Sequence, residues 1–180
     1  STDTYGFSWV IKKAEAIGKK ISTDSKVSVI GAGATARAAI YALDGLVAEI
    51  EVISRSAHRE NALHQCVKKS SLSIKPWAEL STAFSRGLII NTTPQETTNE
   101  LVAAMKSTSV RAGVLIDAIY APAPRATLAQ WRTFDLPVID GVDLLIAQAL
   151  PQISGMTGKD FDLNQMYDIL RREVDLHLAK

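Results

Sequence analysis

The stretch VSVIGAGATARAAIYAL, residues 27–43, decides how the fold is interpreted. A run of β-branched residues, typical of a buried strand, stops at GAGATA and passes directly into an alanine-rich amphipathic segment. Gly31 and Gly33 allow a sharp turn and let a phosphate approach the backbone, where the N–H groups at a helix start would bind it. Ala36 completes a G-x-G-x-x-A pattern with a small residue that permits close helix–strand packing. Because glycine pairs after strands also form plain turns, other segments must distinguish the two interpretations.

The composition is that of an ordinary globular protein. The chain has 180 residues, of which 47% are hydrophobic and 22% charged, and its net charge is +1. This balance does not indicate a nucleic-acid partner, and no apolar run approaches the roughly 20 residues of a membrane span. The lone Cys66 cannot form an internal disulfide, and the histidines lack metal-ligand spacing. We therefore expect a cytoplasmic protein without a bound metal.

Short apolar segments alternate with helical patterns along the chain. Strands are predicted at residues 27–30, 49–53, 72–74, 87–90, 114–116 and 137–139, and helices up to 17 and at 35–43, 59–69, 77–84, 99–106, 126–134, 143–154 and 162–179. The alternation predicts an α/β fold, a Rossmann-like doubly wound parallel six-stranded sheet with helices on both faces, plus N- and C-terminal hinge helices. In such a sheet a ligand binds beyond the carboxyl ends of the strands, where GAGATA, SRSAHR, NTTP, DAIYAP and DG all fall.

The residues after the second predicted strand indicate which dinucleotide would bind. An NAD site usually has Asp or Glu at this position, but the strand ends in Ser54, Arg55 and Ser56, followed by Arg59. Glu51 comes too early, inside the strand. Two guanidinium groups and two hydroxyls suit the 2′-phosphate of NADP, because arginine binds phosphate oxygens with paired hydrogen bonds. The alternative is an exposed loop with two solvated arginines.

Five segments together resemble the shikimate dehydrogenase family. Their order and spacing follow that family's pattern: GAGATARA at 31–38, SRSAHR at 54–59, NTTP at 91–94, DAIYAP at 117–122 and DGVDLLIAQA at 140–149. The likeness covers nearly all of the chain but only the cofactor-binding half of such an enzyme. The opening STDTYGF is similar to the segment in which the family's chain leaves its substrate domain.

The resemblance implies a domain arrangement and an activity. Residues 1–22 would be a linker helix from a substrate domain missing from this chain, 23–141 the NADP-binding domain, and 142–180 helices that return toward the substrate domain. The family reversibly reduces the small molecule 3-dehydroshikimate to shikimate with NADPH, a step of aromatic amino-acid biosynthesis. Its catalytic lysine has no counterpart here, so the resemblance implies a truncated fragment that is inactive in isolation.

Other functions stay open on the sequence alone. The chain could be a non-catalytic NADP-binding or regulatory module, or another oxidoreductase of similar layout. Ala121 replaces the family's asparagine in the loop after the fifth strand, and this leaves the choice between shikimate and quinate open.

The resemblance also implies roles for individual residues. Asp3 would be the acidic partner of the missing lysine and bind a substrate hydroxyl, with a helix N-cap as its alternative role. Tyr120 and Gln148 would hydrogen-bond the substrate, with a surface tyrosine and a solvated helix position as alternatives. The implied cofactor-binding residues are Gly31, Ala32, Gly33, Ala34, Thr35, Ser54, Arg55, Ser56, Arg59, Thr92, Thr93, Ala118, Gly141 and Leu144.

The last predicted helix carries an apolar stripe at spacings of three and four residues: Leu163, Met166, Tyr167, Leu170 and Val174. Such a stripe must face something apolar. We expect it to pack on the first helix near Phe7, Val10 and Ile11, and this region to carry any homodimer contact.

Overall fold

The computed structural model describes residues 1–18, 20–55, 59–121 and 125–178. Its strands are β1 (Lys26–Ile30), β2 (Glu49–Ser54), β3 (Ser71–Pro76), β4 (Leu88–Asn91), β5 (Val114–Asp117) and β6 (Val138–Ile139). Its α-helices are α1 (Thr2–Ile17), α2 (Ala34–Leu43), α3 (Glu60–His64), α4 (Thr98–Ser107), α5 (Ala126–Arg132), α6 (Gly141–Thr157) and α7 (Leu163–Leu178). Two 3-10 segments, Trp77–Ser85 and Gln95–Thr97, follow β3 and β4.

The six strands form one sheet in the order β3-β2-β1-β4-β5-β6, and every pair is parallel. This confirms the predicted Rossmann-like fold. The chain moves outward from β1 in one direction to β3 and in the other to β6, so the switch point lies between β1 and β4. A ligand of such a sheet binds there, outside the carboxyl ends of the strands. β3 is longer than predicted because all six of its residues pair with β2.

Helices cover both faces of the sheet, because alternate strand residues point to opposite sides. On one face, Val29 and Ile90 pack under α1 and α2, and Phe7 of α1 is fully buried in this cluster. On the other face lie the 3-10 segment after β3 and the helices α4 and α5. Trp131 of α5 is fully buried in this second cluster. Its ring lies 5.6 Å from that of Phe84. These two cores fix the strand-end loops relative to one another.

The length of the helix predicted at 59–69 is wrong. The sequence pattern predicts 59–69, but α3 ends at His64. The carboxylate of Asp44 accepts hydrogen bonds from the backbone N–H groups of Lys68, Lys69 and Ser70 at 3.0, 2.9 and 2.9 Å. Since those N–H groups are bound by a residue from the end of α2, the helix cannot continue through them.

The two ends of the chain meet, as predicted, but through different residues of α1. The apolar side of α7 packs on α6, where Tyr167 is buried against residues including Val142 and Leu150. From α1, the Trp9 ring packs against the Tyr167 ring with centroids 5.7 Å apart, and the Lys13 Nζ donates to the Tyr167 hydroxyl at 2.6 Å. The predicted contact with Phe7, Val10 and Ile11 is wrong, because those side chains face the sheet. No helix in the described parts of the chain is long and apolar enough to cross a membrane.

Candidate functional site

The turn between β1 and α2 is built for close approach to its backbone. Gly31 has a φ of +112°, and a Cβ there would lie 2.4 Å from the Thr92 Oγ1, so glycine is required for the fold. At Gly33 a Cβ would meet nothing nearer than the Arg59 Nη1 at 3.8 Å. Among the residues that the structure describes, no side chain caps the start of α2. The N–H groups of its first turn and the positive end of its dipole therefore remain for an anion.

A cavity of about 260 Å³ opens at this turn, at the switch point of the sheet. It is lined by Gly31, Ala32, Gly33, Ser54, Arg55, Arg59, Trp77, Thr92, Thr93, Pro94 and Thr97. Most of the residues predicted to bind a cofactor are thus brought together, with Trp77, Pro94 and Thr97 added. A larger groove of about 680 Å³ lies between α1 and α7, but no strand-end loop lines it. The smaller cavity is the candidate site, because an uncapped helix start and two arginines converge there.

The other predicted cofactor residues that the structure describes do not line this cavity. Ala34 and Thr35 are exposed in the first turn of α2. Ser56 lies outside the described residues. Ala118 donates its N–H to the Asn91 carbonyl at 2.9 Å, so it begins the loop that follows β5.

Gly141 and Leu144 lie at the start of α6. A Cβ on Gly141 would come within 2.4 Å of the Ile119 carbonyl carbon, so the loop after β5 crosses directly over this helix start. Leu144 is buried, and its Cδ1 would be 3.2 Å from a Cβ placed on Gly6. Glycine at both positions lets the loop and α1 approach α6.

The polar residues at the ends of β4 and β5 hold the loops in place. The Asn91 Oδ1 accepts from the Thr93 N–H at 3.1 Å and from the Thr93 hydroxyl at 2.6 Å. The Asn91 Nδ2 donates to the Asp117 Oδ1 at 3.1 Å. Thr92 donates its hydroxyl to the Ile30 carbonyl at 2.8 Å, which fastens this loop to the glycine turn.

Asp117 is the centre of this network. It is fully buried, and its Oδ2 accepts from the Arg125 Nη2 at 3.1 Å and from the Thr127 hydroxyl. The Ile119 N–H donates to the other oxygen at 3.3 Å. Because the buried charge is paired and hydrogen-bonded, it is stable in this position and fixes the loop after β5.

Arg55 and Arg59 have different surroundings. The Arg55 guanidinium lies 4.4 Å from the centre of the Trp77 ring and forms an ion pair with Glu100. The Trp77 Nε1 donates to the second carboxylate oxygen of Glu100. The hydrogen bonds from Arg55 and Trp77 lower the pKa of Glu100. Arg59 forms no ion pair with any residue that the structure describes.

Sequence reasoning missed Trp77 and Glu100. They are 23 residues apart and come from the segment after β3 and from α4. No sequence pattern links either of them to Arg55. Glu51 was correctly placed away from the site: its buried carboxylate pairs with Arg86 at 3.0 Å.

Two of the predicted substrate-binding residues touch each other. The Gln148 Nε2 of α6 donates to the Asp3 Oδ1 of α1 at 2.9 Å. Gly6 makes this contact possible, because a Cβ there would lie 2.6 Å from the Gln148 Cγ. The N-cap alternative for Asp3 is wrong, since the N-cap of α1 is Ser1. Tyr120 is 54% exposed on the loop that crosses α6. Within the described residues, its side chain makes no hydrogen bond to Asp3 or Gln148.

The start of α6 is tied to α7 by charged side chains. Asp140 caps the helix by accepting from the Asp143 N–H at 3.1 Å. Arg171 donates to both oxygens of Asp140 at 2.6 and 2.9 Å and to Asp143 at 3.0 Å. Burial raises the pKa of Asp140, but the hydrogen bonds from Arg171 and from the backbone outweigh burial and hold this pKa below its ordinary value. In the described ranges, no three His, Cys, Asp or Glu side chains form a group that could hold a metal ion.

No protein-family model matches the chain. Sequence comparison finds a shikimate dehydrogenase (NADP(+)) of Maricaulis maris, 30% identical over 162 residues that cover 88% of this chain and 56% of the relative. A second relative of the same name, from Paramagnetospirillum magneticum, is 30% identical over 166 residues, covering 88% of this chain and 58% of its own. Over most of its own length the chain is thus similar to shikimate dehydrogenases. It spans about half the length of the curated relatives it matches.

The fold of this chain is similar to that of solved shikimate dehydrogenase structures. The Mycobacterium tuberculosis shikimate dehydrogenase has a TM-score of 0.75 and 24% identity over 92% of this chain and 61% of its own, and this likeness concerns the fold. The Thermus thermophilus shikimate 5-dehydrogenase, solved with NADP(H) and shikimate, has a TM-score of 0.66 and 26% identity. The match covers 95% of this chain and 62% of the Thermus thermophilus chain. The family resemblance seen in five sequence motifs is thereby confirmed.

Proposed function

We propose that this chain is the NADP(H)-binding part of a shikimate dehydrogenase. The observation that carries the proposal is the cavity at the switch point, where the uncapped start of α2 faces the same space as Arg55 and Arg59. A dinucleotide with an additional phosphate presents anions that match both features. The name shared by the relatives supports the same cofactor.

The residues of the cavity fit the parts of the dinucleotide. The turn of Gly31 and Gly33 and the first turn of α2, with Ala34 and Thr35, would hold the pyrophosphate. Arg55 and Arg59, with the hydroxyl-bearing Ser54 and Ser56, would hold the 2′-phosphate. The cofactor-facing loop would also use Ala32, Thr92 and Thr93, and the nicotinamide end would lie toward Ala118, Gly141 and Leu144. When bound, NADPH supplies the hydride that reduces the ketone of 3-dehydroshikimate.

Asp3, Tyr120 and Gln148 would bind the small-molecule substrate. The Asp3 carboxylate can accept a hydrogen bond from a substrate hydroxyl while the Gln148 amide fixes its orientation. Asp3 would also be the acidic partner of the family's lysine. The exposed Tyr120 hydroxyl can donate to a substrate oxygen from the loop above α6.

The location and assembly of the protein are part of the same proposal. A buried, unpaired Cys66 suits a reducing cytoplasmic environment. The apolar side of α7 is half-buried apart from Tyr167, so a homodimer would use this face.

The binding test compares NADPH with NADH on the purified chain. We expect tighter binding of NADPH, because of its 2′-phosphate. Arg55→Ala should weaken NADPH binding by roughly 1.5–3 kcal/mol, the usual contribution of a hydrogen bond to a charged group, and leave NADH nearly unchanged. Arg172→Ala removes an exposed arginine on α7 and serves as the matched control. Equal affinities for the two nucleotides, or an Arg55→Ala variant with the wild-type preference, would contradict the proposal.

A further inference from the structure

The tertiary structure supplies a carboxylate beside Arg55, whereas residues 54–59, at the end of β2 and directly after it, include no acidic residue. Glu100 lies in the first turn of α4, which begins after the loop that follows β4. Because β4 neighbours β1 in the sheet, this loop and the loop after β2 open onto the same cavity. The acidic group is therefore delivered to the site from a neighbouring segment, 45 residues from Arg55 along the chain.

Glu100 engages two neighbours at once. One carboxylate oxygen pairs with the Arg55 Nη2, and the other accepts from the Trp77 Nε1. The same Trp77 ring supports the face of the Arg55 guanidinium at 4.4 Å. One edge and one face of this guanidinium are thus in contact with protein, although half of the Arg55 side chain remains exposed.

The charges around the cavity follow from these contacts. Arg55 and Arg59 contribute two positive charges, and Glu100 cancels one of them. A phosphate that approaches Arg55 must share its N–H groups with the carboxylate or displace it, and it is repelled by the carboxylate in either case. A ribose hydroxyl carries no charge, so Glu100 does not repel it and does not have to be displaced.

We propose that Glu100 is a specificity-determining residue that competes with the 2′-phosphate of the cofactor for Arg55 and so weakens the preference for NADP(H) over NAD(H). The inference rests on the proposed function of the site. It concerns the degree of discrimination, whereas the proposed function concerns which nucleotide is bound.

The test is calorimetric titration of NADP⁺ and NAD⁺ into the wild-type chain and into Glu100→Gln. Glutamine keeps an oxygen that can accept from Trp77 or Arg55, but it removes the charge. We expect NADP⁺ to bind about two- to fivefold more tightly to the variant, the range typical of an exposed ion pair, and NAD⁺ to bind as before.

Two further variants separate direct competition from a general charge effect. Glu96→Gln removes an exposed carboxylate from the 3-10 segment just before α4, and Glu96 makes no ion pair within the described residues, so NADP⁺ affinity should not change. In an Arg55→Ala background, Glu100→Gln should give no gain, because the contested partner is absent.

The outcomes distinguish the two proposals. Unchanged or weaker NADP⁺ binding by Glu100→Gln, with a wild type that prefers NADP⁺, overturns the role of Glu100 and leaves the proposed function standing. An equal gain for both nucleotides overturns it as well. A wild type and a Glu100→Gln variant that bind neither nucleotide overturn both proposals.

Discussion

Two arginine–carboxylate pairs lie at the same edge of the sheet, and they differ in exposure. In the Asp117–Arg125 pair the side chains are 0% and 3% exposed. In the Arg55–Glu100 pair the side chains are 50% and 48% exposed. The first pair joins the end of β5 to the start of α5, and the second joins the loop after β2 to the first turn of α4.

The difference in burial gives the pairs different roles. A buried ion pair is held firmly, because breaking it leaves a charge without water or partner. An exposed pair contributes little to stability, and a ligand can replace one partner at low cost. Asp117 and Arg125 therefore serve the fold, whereas Arg55 and Glu100 remain available for binding.

The largest expected effect is on the buried pair. Asp117→Asn leaves the Arg125 guanidinium buried without its counterion and should lower the free energy of unfolding by about 3–5 kcal/mol. Urea denaturation followed by circular dichroism measures this change. Glu100→Gln, which removes a carboxylate from the exposed pair, is the matched control and should unfold close to the wild type. Equal losses in the two variants would show that burial does not separate the pairs.

The two glycines of the turn after β1 extend the comparison. Gly31→Ala forces a side chain into positive φ and into contact with Thr92, and should cost about 1–3 kcal/mol of stability. Gly33 has a φ of −83° and open space around it, so Gly33→Ala should leave the denaturation midpoint unchanged or slightly raised.

For Gly33→Ala we expect a loss of NADPH affinity without a loss of stability. Its new methyl group would occupy the space through which a pyrophosphate approaches, so NADPH affinity should fall although stability does not. Thermal unfolding and NADPH titration on the same samples check both halves of the expectation. A Gly33→Ala chain with wild-type affinity would place the phosphate elsewhere.

The smallest expected effect is on a cluster of intermediate burial. Arg171→Gln removes the partner of Asp140 and should lower stability at neutral pH by about 1 kcal/mol, since part of the cluster is exposed. The pKa of Asp140 is lowered in the folded chain, so its stabilisation is present above its unfolded pKa of ~3.9 and is lost as the pH falls below it. The difference between Arg171→Gln and wild type should therefore shrink in acid.

Denaturation of both proteins between neutral pH and pH ~3 measures this convergence. Arg172→Gln, one residue away and exposed, is the control for the loss of a positive charge from α7. A constant difference across the pH range would show that the ion pair with Asp140 does not carry the effect.

Local chemistry made much of this protein predictable from sequence. The strand–glycine–helix pattern at residues 27–43 fixes β1, the turn and α2, because its determinants are neighbours along the chain. Parallel strands bring their carboxyl ends to one edge, so the motifs that follow them were expected together. Residues from the loops after β1, β2 and β4 line one cavity there. The placement of Arg55 and Arg59 at the site followed from the same topology.

Contacts between distant segments decided what the sequence pattern could not. The periodicity of residues 59–69 suits a helix, but Asp44 binds the backbone N–H groups that the helix would need. The apolar stripe of α7 was predicted from the sequence. Which face of α1 it contacts depended on which face of α1 packs against the sheet.

The pairing of Glu100 with Arg55 belongs to the same class. Arg55 just after β2, Trp77 in the segment after β3 and Glu100 in α4 come together only when the sheet is assembled, and no sequence periodicity predicts this contact. The sequence by itself determined the fold and the position of the site, because both depend on local patterns and strand direction. Only the tertiary structure decided which charges face each other there, because that depends on how separate elements pack.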